Sequence, residues 1–244
     1  MAPRPVCAIC QPHYLPWMGY FEMIDRVDVF VFLDDVQFIK REWKNRNRIR
    51  KAARSPETMW LTVPIRKDTQ RSRLDEAMPA GHGDWHSGHV RSLEHVYSHS
   101  PGYGDVADEL FEAMRPRPGD SLADINIRTV TRICGMLGVA TRLERSSGLD
   151  APGTKGDKLL ALCRKLGCAA YLANDRTGDY LDVEGFEAAG VAVEFQGYSH
   201  PTYGQWHRGK ALPFLSHLSV VDLLCNHGRD ALDIIRSGRP GRAG

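Results

Sequence analysis

Near its N-terminus the chain gathers the groups needed for acyl transfer. Cys10 supplies a thiol, His13 an imidazole three positions on, and Asp34 and Asp35 two carboxylates. A thiolate accepts acyl groups from thioesters, and a neighbouring imidazole supplies its base. His200, in SHPTYGQ, is a second candidate base, and Asp34 is the expected orienter of an incoming amine. Each has an ordinary alternative. A cysteine ending a strand is usually a small buried hydrophobe, and an aspartate opening a loop commonly serves as a turn or cap residue. Adjacent side chains on extended backbone point opposite ways, so one aspartate should face the cleft and the other should cap or pair with an Arg-rich segment.

That segment is Lys44-Asn45-Arg46-Asn47-Arg48. If extended, Lys44, Arg46 and Arg48 share one face, and Asn45 and Asn47 the other. Guanidinium forks suit the phosphates of a nucleotide, a pyrophosphate or a phosphopantetheine arm. The plain alternative is a solvated strand edge, where Lys and Arg are common; the adjacent Trp43 and nearby Gln37 argue for more. Ten histidines are present, and His82, His86 and His89 approach a metal-ligand spacing. No HExxH occurs, so neither metal nor cofactor is expected. No GxGxxG follows the first strand, and P-loop and GxSxG motifs are absent.

These groups need strands to carry them. Val6–Ile9, Val27–Leu33 and Met59–Val63 read as strands, apolar almost without interruption, as when both faces of a sheet are covered. Cys10–Trp17 is then a strand-to-helix loop, stiffened by Pro12 and Pro16, and Asp34 and Asp35 follow the second strand. Helices are expected over 84–95 and 105–114, and from an N-cap at Ser121, supported by Asp124, to Leu137, with Gly138 ending it. Beyond lie a strand over 141–145, a helix over 156–166, a strand over 168–173, a helix over 184–189 and a strand over 191–195. Helices at 219–225 and 231–235 close the chain. This alternation predicts an α/β fold: a mostly parallel sheet with crossover helices, a helical insertion in the middle and helices at the C-terminus. One domain over 1–238 is expected, divisible at 120/121, with 239–244 a disordered tail.

Composition bounds the partners. The 244 residues are 42% hydrophobic and 25% charged, with a formal net charge of +2. That balance argues against a dedicated nucleic-acid binder, although the basic clusters at Lys40-Arg41 and Lys44–Lys51 could act locally. No apolar run reaches the ~20 residues of a membrane span, and no secretory signal opens the chain. The six cysteines are scattered, so reduced thiols and a cytoplasmic location are expected.

QPHYLPWMGYF, FVFLDDVQFIKREWKNRNRI and WLTVPI resemble the signature of the WbqC-like family. The resemblance continues through LLALCRKLGCAAYLAND, GDYLDVEGFEAAGVAVEF, the His200-Pro201-x-Tyr203-x-Gln205 stretch and LSVVDLLCNHG, from about Val6 to Gly228. The family is named from bacterial surface-polysaccharide clusters and recurs in other biosynthetic clusters, which implies a tailoring step. It adds His89, from a Trp-x3-His pattern starting at Trp85, and Tyr203 and Gln205 to a substrate-binding set with Gln11, Tyr14, Trp17, Asp35, Gln37, Lys44, Arg46, Asn47 and Arg48. In relatives the position of Cys10 is often Ser, His or Met, so this chain departs from the pattern there.

Three readings compete. In the first, an acyl or aminoacyl thioester, on a carrier protein or coenzyme A, acylates Cys10 and passes its acyl group to a small amine or sugar, forming an amide or ester. In the second, the basic segment holds the diphosphate of a nucleotide-sugar for a glycan-modifying enzyme. In the third, the cleft is a non-catalytic ligand pocket.

Overall fold

A computed structural model describes residues 5–81, 84–179 and 181–241. Five parallel strands form the central sheet: β1 (Val6–Cys10), β2 (Val29–Phe32), β5 (Arg142–Arg145), β6 (Ala170–Ala173) and β7 (Ala192–Phe195). Their order is β5-β2-β1-β6-β7. β1 is central; the chain builds outward on one side through β2 and β5, then returns to lay β6 and β7 on the other. The direction of winding therefore reverses between β1 and β6, and ligands of open α/β sheets bind at the carboxyl ends of such strands. The expected α/β class holds.

Strict alternation explains the unbroken apolar runs. Ala8, Phe30 and Phe32 enter one core with α1 (Met18–Asp25), α3 (Tyr103–Met114) and α4 (Leu122–Leu137). Cys7, Ile9, Val29 and Val31 enter a second core with Leu159 and Leu162 of α5 (Lys155–Lys165) and Phe186 of α6 (Val183–Ala188). Every position is inside because each face has its own helices. Phe30 and Phe32 are wholly buried, and truncating either to alanine would cost about 3–5 kcal/mol.

One strand is placed differently from expectation. Thr58–Thr62 is β4, paired antiparallel with β3 (Arg46–Arg50) in a separate hairpin, with Trp60 exposed. Only Leu61 of this strand is buried, so its sequence reads apolar while its packing is one-sided. The helical insertion consists of α2 (Asp84–Tyr97), α3 and α4. Ser121 and Asp124 form the expected capping box, and Gly138 ends α4 at φ +73°, a left-handed turn that costs glycine little. Trp206–His207 (β8) and Lys210–Ala211 (β9) make a small ribbon, and α7 (Val220–His227) and α8 (Ala231–Ser237) pack against the first core. Arg239 ties the end of the chain to Asp25 at 2.6 Å and Glu22 at 3.1 Å; residues 242–244 and His82 lie outside the described residues. Among those described, no helix is long and apolar enough to cross a membrane.

Candidate functional site

A crevice of about 490 Å³ opens at the carboxyl edge of the sheet. His13 and Trp17 enter it from the loop after β1, Asn174, Asp175 and Arg176 from that after β6, and Gln196 and Tyr198 from that after β7. Trp43, Asn47 and Arg48 from the β3 region and His217 from the loop before α7 complete it. These elements meet at the reversal between β1 and β6, where the fold places ligands. A groove of about 420 Å³ on α3 and α4 lies away from the strand ends and shares none of these residues.

The loop after β1 is shaped by its own strain. Leu15 sits at φ +44°, a region a leucine rarely enters. Asn47, a buried residue of β3, holds it there by donating from Nδ2 to the Leu15 carbonyl at 2.7 Å and the Tyr14 carbonyl at 3.3 Å. Asn126 of α4 donates to the Pro12 carbonyl at 2.9 Å and the Lys44 carbonyl at 2.8 Å. The loop and hairpin are therefore one fastened unit. Asn47 is a fastener with an edge in the crevice, rather than the free amide its place in the basic segment suggested.

Trp17 forms an aromatic wall. Its ring stacks with His200 (6.0 Å between centroids) and His217 (5.8 Å), and meets Tyr198 edge-on. The backbone N–H of His217 donates to His200 Nε2 at 3.1 Å, and the His217 carbonyl receives Arg48 at 3.4 Å. His217 sits at φ +56° and is held by these bonds. His200 thus supports the wall from behind; burial and the neighbouring His217 lower its pKa. No contact joins it to Cys10 among the described residues.

Cys10 and His13 part company. The Cys10 side chain packs against the first core and does not line the crevice. Burial pushes its thiol up to about 12, with the Lys44 ammonium only partly offsetting this. The expectation of a thiol depressed by an imidazole is therefore not met. His13 faces the crevice with its ring 5.1 Å from that of Tyr20. Burial, reinforced by Lys44, lowers its pKa to about 3, so the imidazole is neutral at ordinary pH.

The paired aspartates are a structural clamp. Asp34 is wholly buried and accepts from Arg145 Nε (2.7 Å), the Ser147 N–H (2.9 Å) and the Ser147 hydroxyl (2.9 Å). Arg145 also reaches Asp124 at 2.6 Å, so one guanidinium joins the ends of β2 and β5 to the start of α4. Asp35 pairs with Lys158 and accepts from Ser146 at 2.6 Å. Burial would raise the Asp35 carboxyl, but Lys158 and Ser146 hold it below its usual range. Neither carboxylate faces the Arg-rich segment, and neither lines the crevice.

Other expected site residues also serve the frame. Tyr14 is buried and meets His89 Nδ1 at 2.7 Å, with Trp85 edge-on to its ring. Burial lowers His89 to about 4, and the residue stands in the core rather than the crevice. His86 is buried too, against the Phe111 carbonyl at 3.0 Å, rather than on the surface. Tyr203 donates to Asp222 at 2.9 Å, and Gln205 donates to Asp222 at 2.7 Å while accepting from Arg50 at 2.6 Å. This buried set also anchors the loop before α7 through the Leu215 N–H, 2.9 Å from Gln205 Oε1. Gln11 offers its carbonyl to the Tyr20 hydroxyl at 3.0 Å. Gln37 is exposed and bridges to Arg73. Lys44 is buried and pairs with Glu42, while Arg46 covers Trp60 at 4.1 Å.

Of the expected residues, then, His13, Trp17, Asn47 and Arg48 meet in the crevice. Asn174, Asp175, Arg176, Gln196, Tyr198 and His217 join them unforeseen. The strand-end argument made for β1 and β2, extended to AYLANDR and VEFQGY, points to all of these except His217. No group of three or more His, Cys, Asp or Glu side chains with the makings of a metal site occurs among the described residues.

The sequence profile of the WbqC-like protein family matches residues 11–234. An uncharacterized protein of Mycobacterium tuberculosis is 33% identical over 231 residues, covering 94% of this chain and 96% of the relative. No solved structure matches.

Proposed function

The chain belongs to the WbqC-like protein family, and on that premise we propose that it is an acyl or aminoacyl transferase, forming an amide or ester from a thioester donor. The observation that carries this reading is the meeting of a neutral imidazole, His13, with the cations Arg48 and Arg176 in one crevice at the β1/β6 reversal. Guanidinium groups suit the phosphates of coenzyme A or of a phosphopantetheine arm. Trp17, Trp43 and Tyr198 offer apolar surface to the rest of the donor, and Asp175 supplies a carboxylate for an amine acceptor.

The transfer goes by direct attack. The acceptor nitrogen adds to the thioester carbonyl, the carbon–sulfur bond breaks, and the amide and a thiol are released. His13 takes the proton from the attacking nitrogen and returns it to the leaving sulfur. Its pKa of about 3 belongs to the free site; a bound phosphate stabilises the imidazolium and raises its proton affinity toward the working range. Cys10 has no covalent role in this scheme, consistent with its raised thiol.

A second reading draws on the same cations: a nucleotide-sugar diphosphate held by Arg48 and Arg176 in a glycan-modifying enzyme. Incubation with acyl- and aminoacyl-coenzyme A plus a panel of amines, and separately with nucleotide-sugars, distinguishes the two by mass spectrometry. An amide product with release of free thiol supports the transferase. Consumption of nucleotide-sugars alone supports the second reading.

A further inference from the structure

Beside the crevice the surface changes character. Residues 40–73 carry twelve Lys and Arg against three Asp and Glu, leaving twenty against twenty-seven in the rest of the chain. The same stretch and its immediate edge hold Ile39 (50% exposed), Trp43 (39%) and Trp60 (42%), three of the four large apolar side chains exposed among the described residues. Such side chains normally turn inward, and exposed ones grouped within a polar surround mark interaction sites.

The geometry makes one patch of them. Trp43 and Trp60 lie 5.5 Å apart between ring centroids, with Arg46 4.1 Å over Trp60 and Arg48 5.8 Å from it. Lys40 and Arg41 are within about 10 Å of chain from Trp43. The Phe38 N–H bonds the Ser72 carbonyl at 3.0 Å, and Gln37 bridges Arg73, bringing Arg71 beside them. Among the described residues, Lys40, Arg41, Arg46, Arg48 and Arg71 form no salt bridge, unlike Arg66 and Arg73, which are neutralised by Asp68 and Asp75. Unpaired cations around exposed aromatic and aliphatic side chains fit an acidic protein face with apolar residues at its centre. Nucleic acid fits less well, since the remainder of the chain has excess negative charge and Ile39 offers nothing to a phosphate backbone.

We propose that this patch docks an acidic carrier protein, so that a donor on a flexible arm enters the crevice past Trp43 and Arg48. The inference rests on the transferase reading for its purpose and names protein-bound thioester as the natural donor.

The test uses the apo forms of a panel of purified fatty-acid, polyketide and peptide-synthetase carrier proteins, which lack the arm and so report docking alone. Binding is measured by fluorescence anisotropy at low and high salt, against the wild type and a Lys40→Glu/Arg41→Glu variant, two exposed side chains outside the crevice. At least one carrier should bind in the micromolar range, more weakly at high salt, with about tenfold or greater loss in the variant. Transfer from acyl-coenzyme A should be the same in both proteins. Docking without any transfer, from acyl-coenzyme A or from the same carrier bearing an acylated arm, keeps this proposal and removes the transferase reading. The proposal is overturned if no carrier binds, if the variant binds as well as the wild type, or if single-stranded RNA binds more tightly than every carrier.

Discussion

Cys10 and His13 stand three residues apart at the end of β1, yet the thiol packs into the core while the imidazole lines the crevice. One stiff loop therefore separates a sulfur packed against the core from an imidazole at the crevice. Its conformation is set from outside, by Asn47 on Leu15 and by Asn126 on Pro12. Replacing Asn47 by alanine leaves both loop carbonyls without their partner and releases a strained φ. A loss of about 1–3 kcal/mol in urea unfolding is expected, with catalysis falling as well, because His13 loses its placement.

In the proposed transferase, Arg48 and Arg176 hold donor phosphates, a role mainly in binding. Replacing either by alanine should raise the KM for acyl-coenzyme A about tenfold or more while leaving kcat within a few-fold. Titration calorimetry with coenzyme A should show the same weakening. Unchanged affinity in the double variant would remove the anion-binding role.

Asp34 is a buried anchor for Arg145, Ser146 and Ser147. Asp34→Ala leaves the Ser147 N–H without its acceptor and the Arg145 guanidinium with Asp124 alone. About 1–3 kcal/mol of stability should be lost. Asp35→Ala, which removes only the bonds from Ser146 and Lys158, should cost less. Denaturant midpoints of the two variants give the comparison.

Acid should destabilise the fold through buried imidazoles. His89 titrates near 4 when folded and near 6.5 when unfolded. Between those values the unfolded chain binds more protons, so stability is complete above pH 6.5 and falls as pH drops toward 4. His13, lowered to about 3, acts in the same direction. His89→Gln should lower stability at pH 7, since Tyr14 loses its partner, and should flatten the slope of melting temperature against pH between 6.5 and 4.

The three inner strands β1, β2 and β6 were legible because they are buried on both faces, which leaves unbroken apolar runs such as Val29–Phe32. The cap at Ser121 and the stop at Gly138 were legible because their chemistry is local. Met59–Val63 gives the same apolar impression, but Thr58–Thr62 pairs with β3 in a separate hairpin, away from the main sheet. The site was half legible. His13, Trp17 and Arg48 announced themselves by type and loop position. His89, Tyr203 and Gln205 carry the same polar groups but spend them on Tyr14, Asp222 and Arg50 inside the protein, and no spacing rule separates a buried network from a cleft. His217 comes from an irregular loop whose place is fixed only by long-range bonds to His200 and Arg48.

In the proposed mechanism His13, and not Cys10, drives transfer in the crevice. Steady-state kinetics of the wild type, Cys10→Ala and His13→Gln with acyl-coenzyme A and an accepted amine test it directly, with intact-protein mass spectrometry of quenched reactions. Cys10→Ala should keep turnover within a few-fold and the wild type should show no acyl adduct, while His13→Gln should lose about 10²–10⁴ in kcat and remain folded. An acyl group trapped on Cys10, with turnover abolished in Cys10→Ala and preserved in His13→Gln, would contradict it.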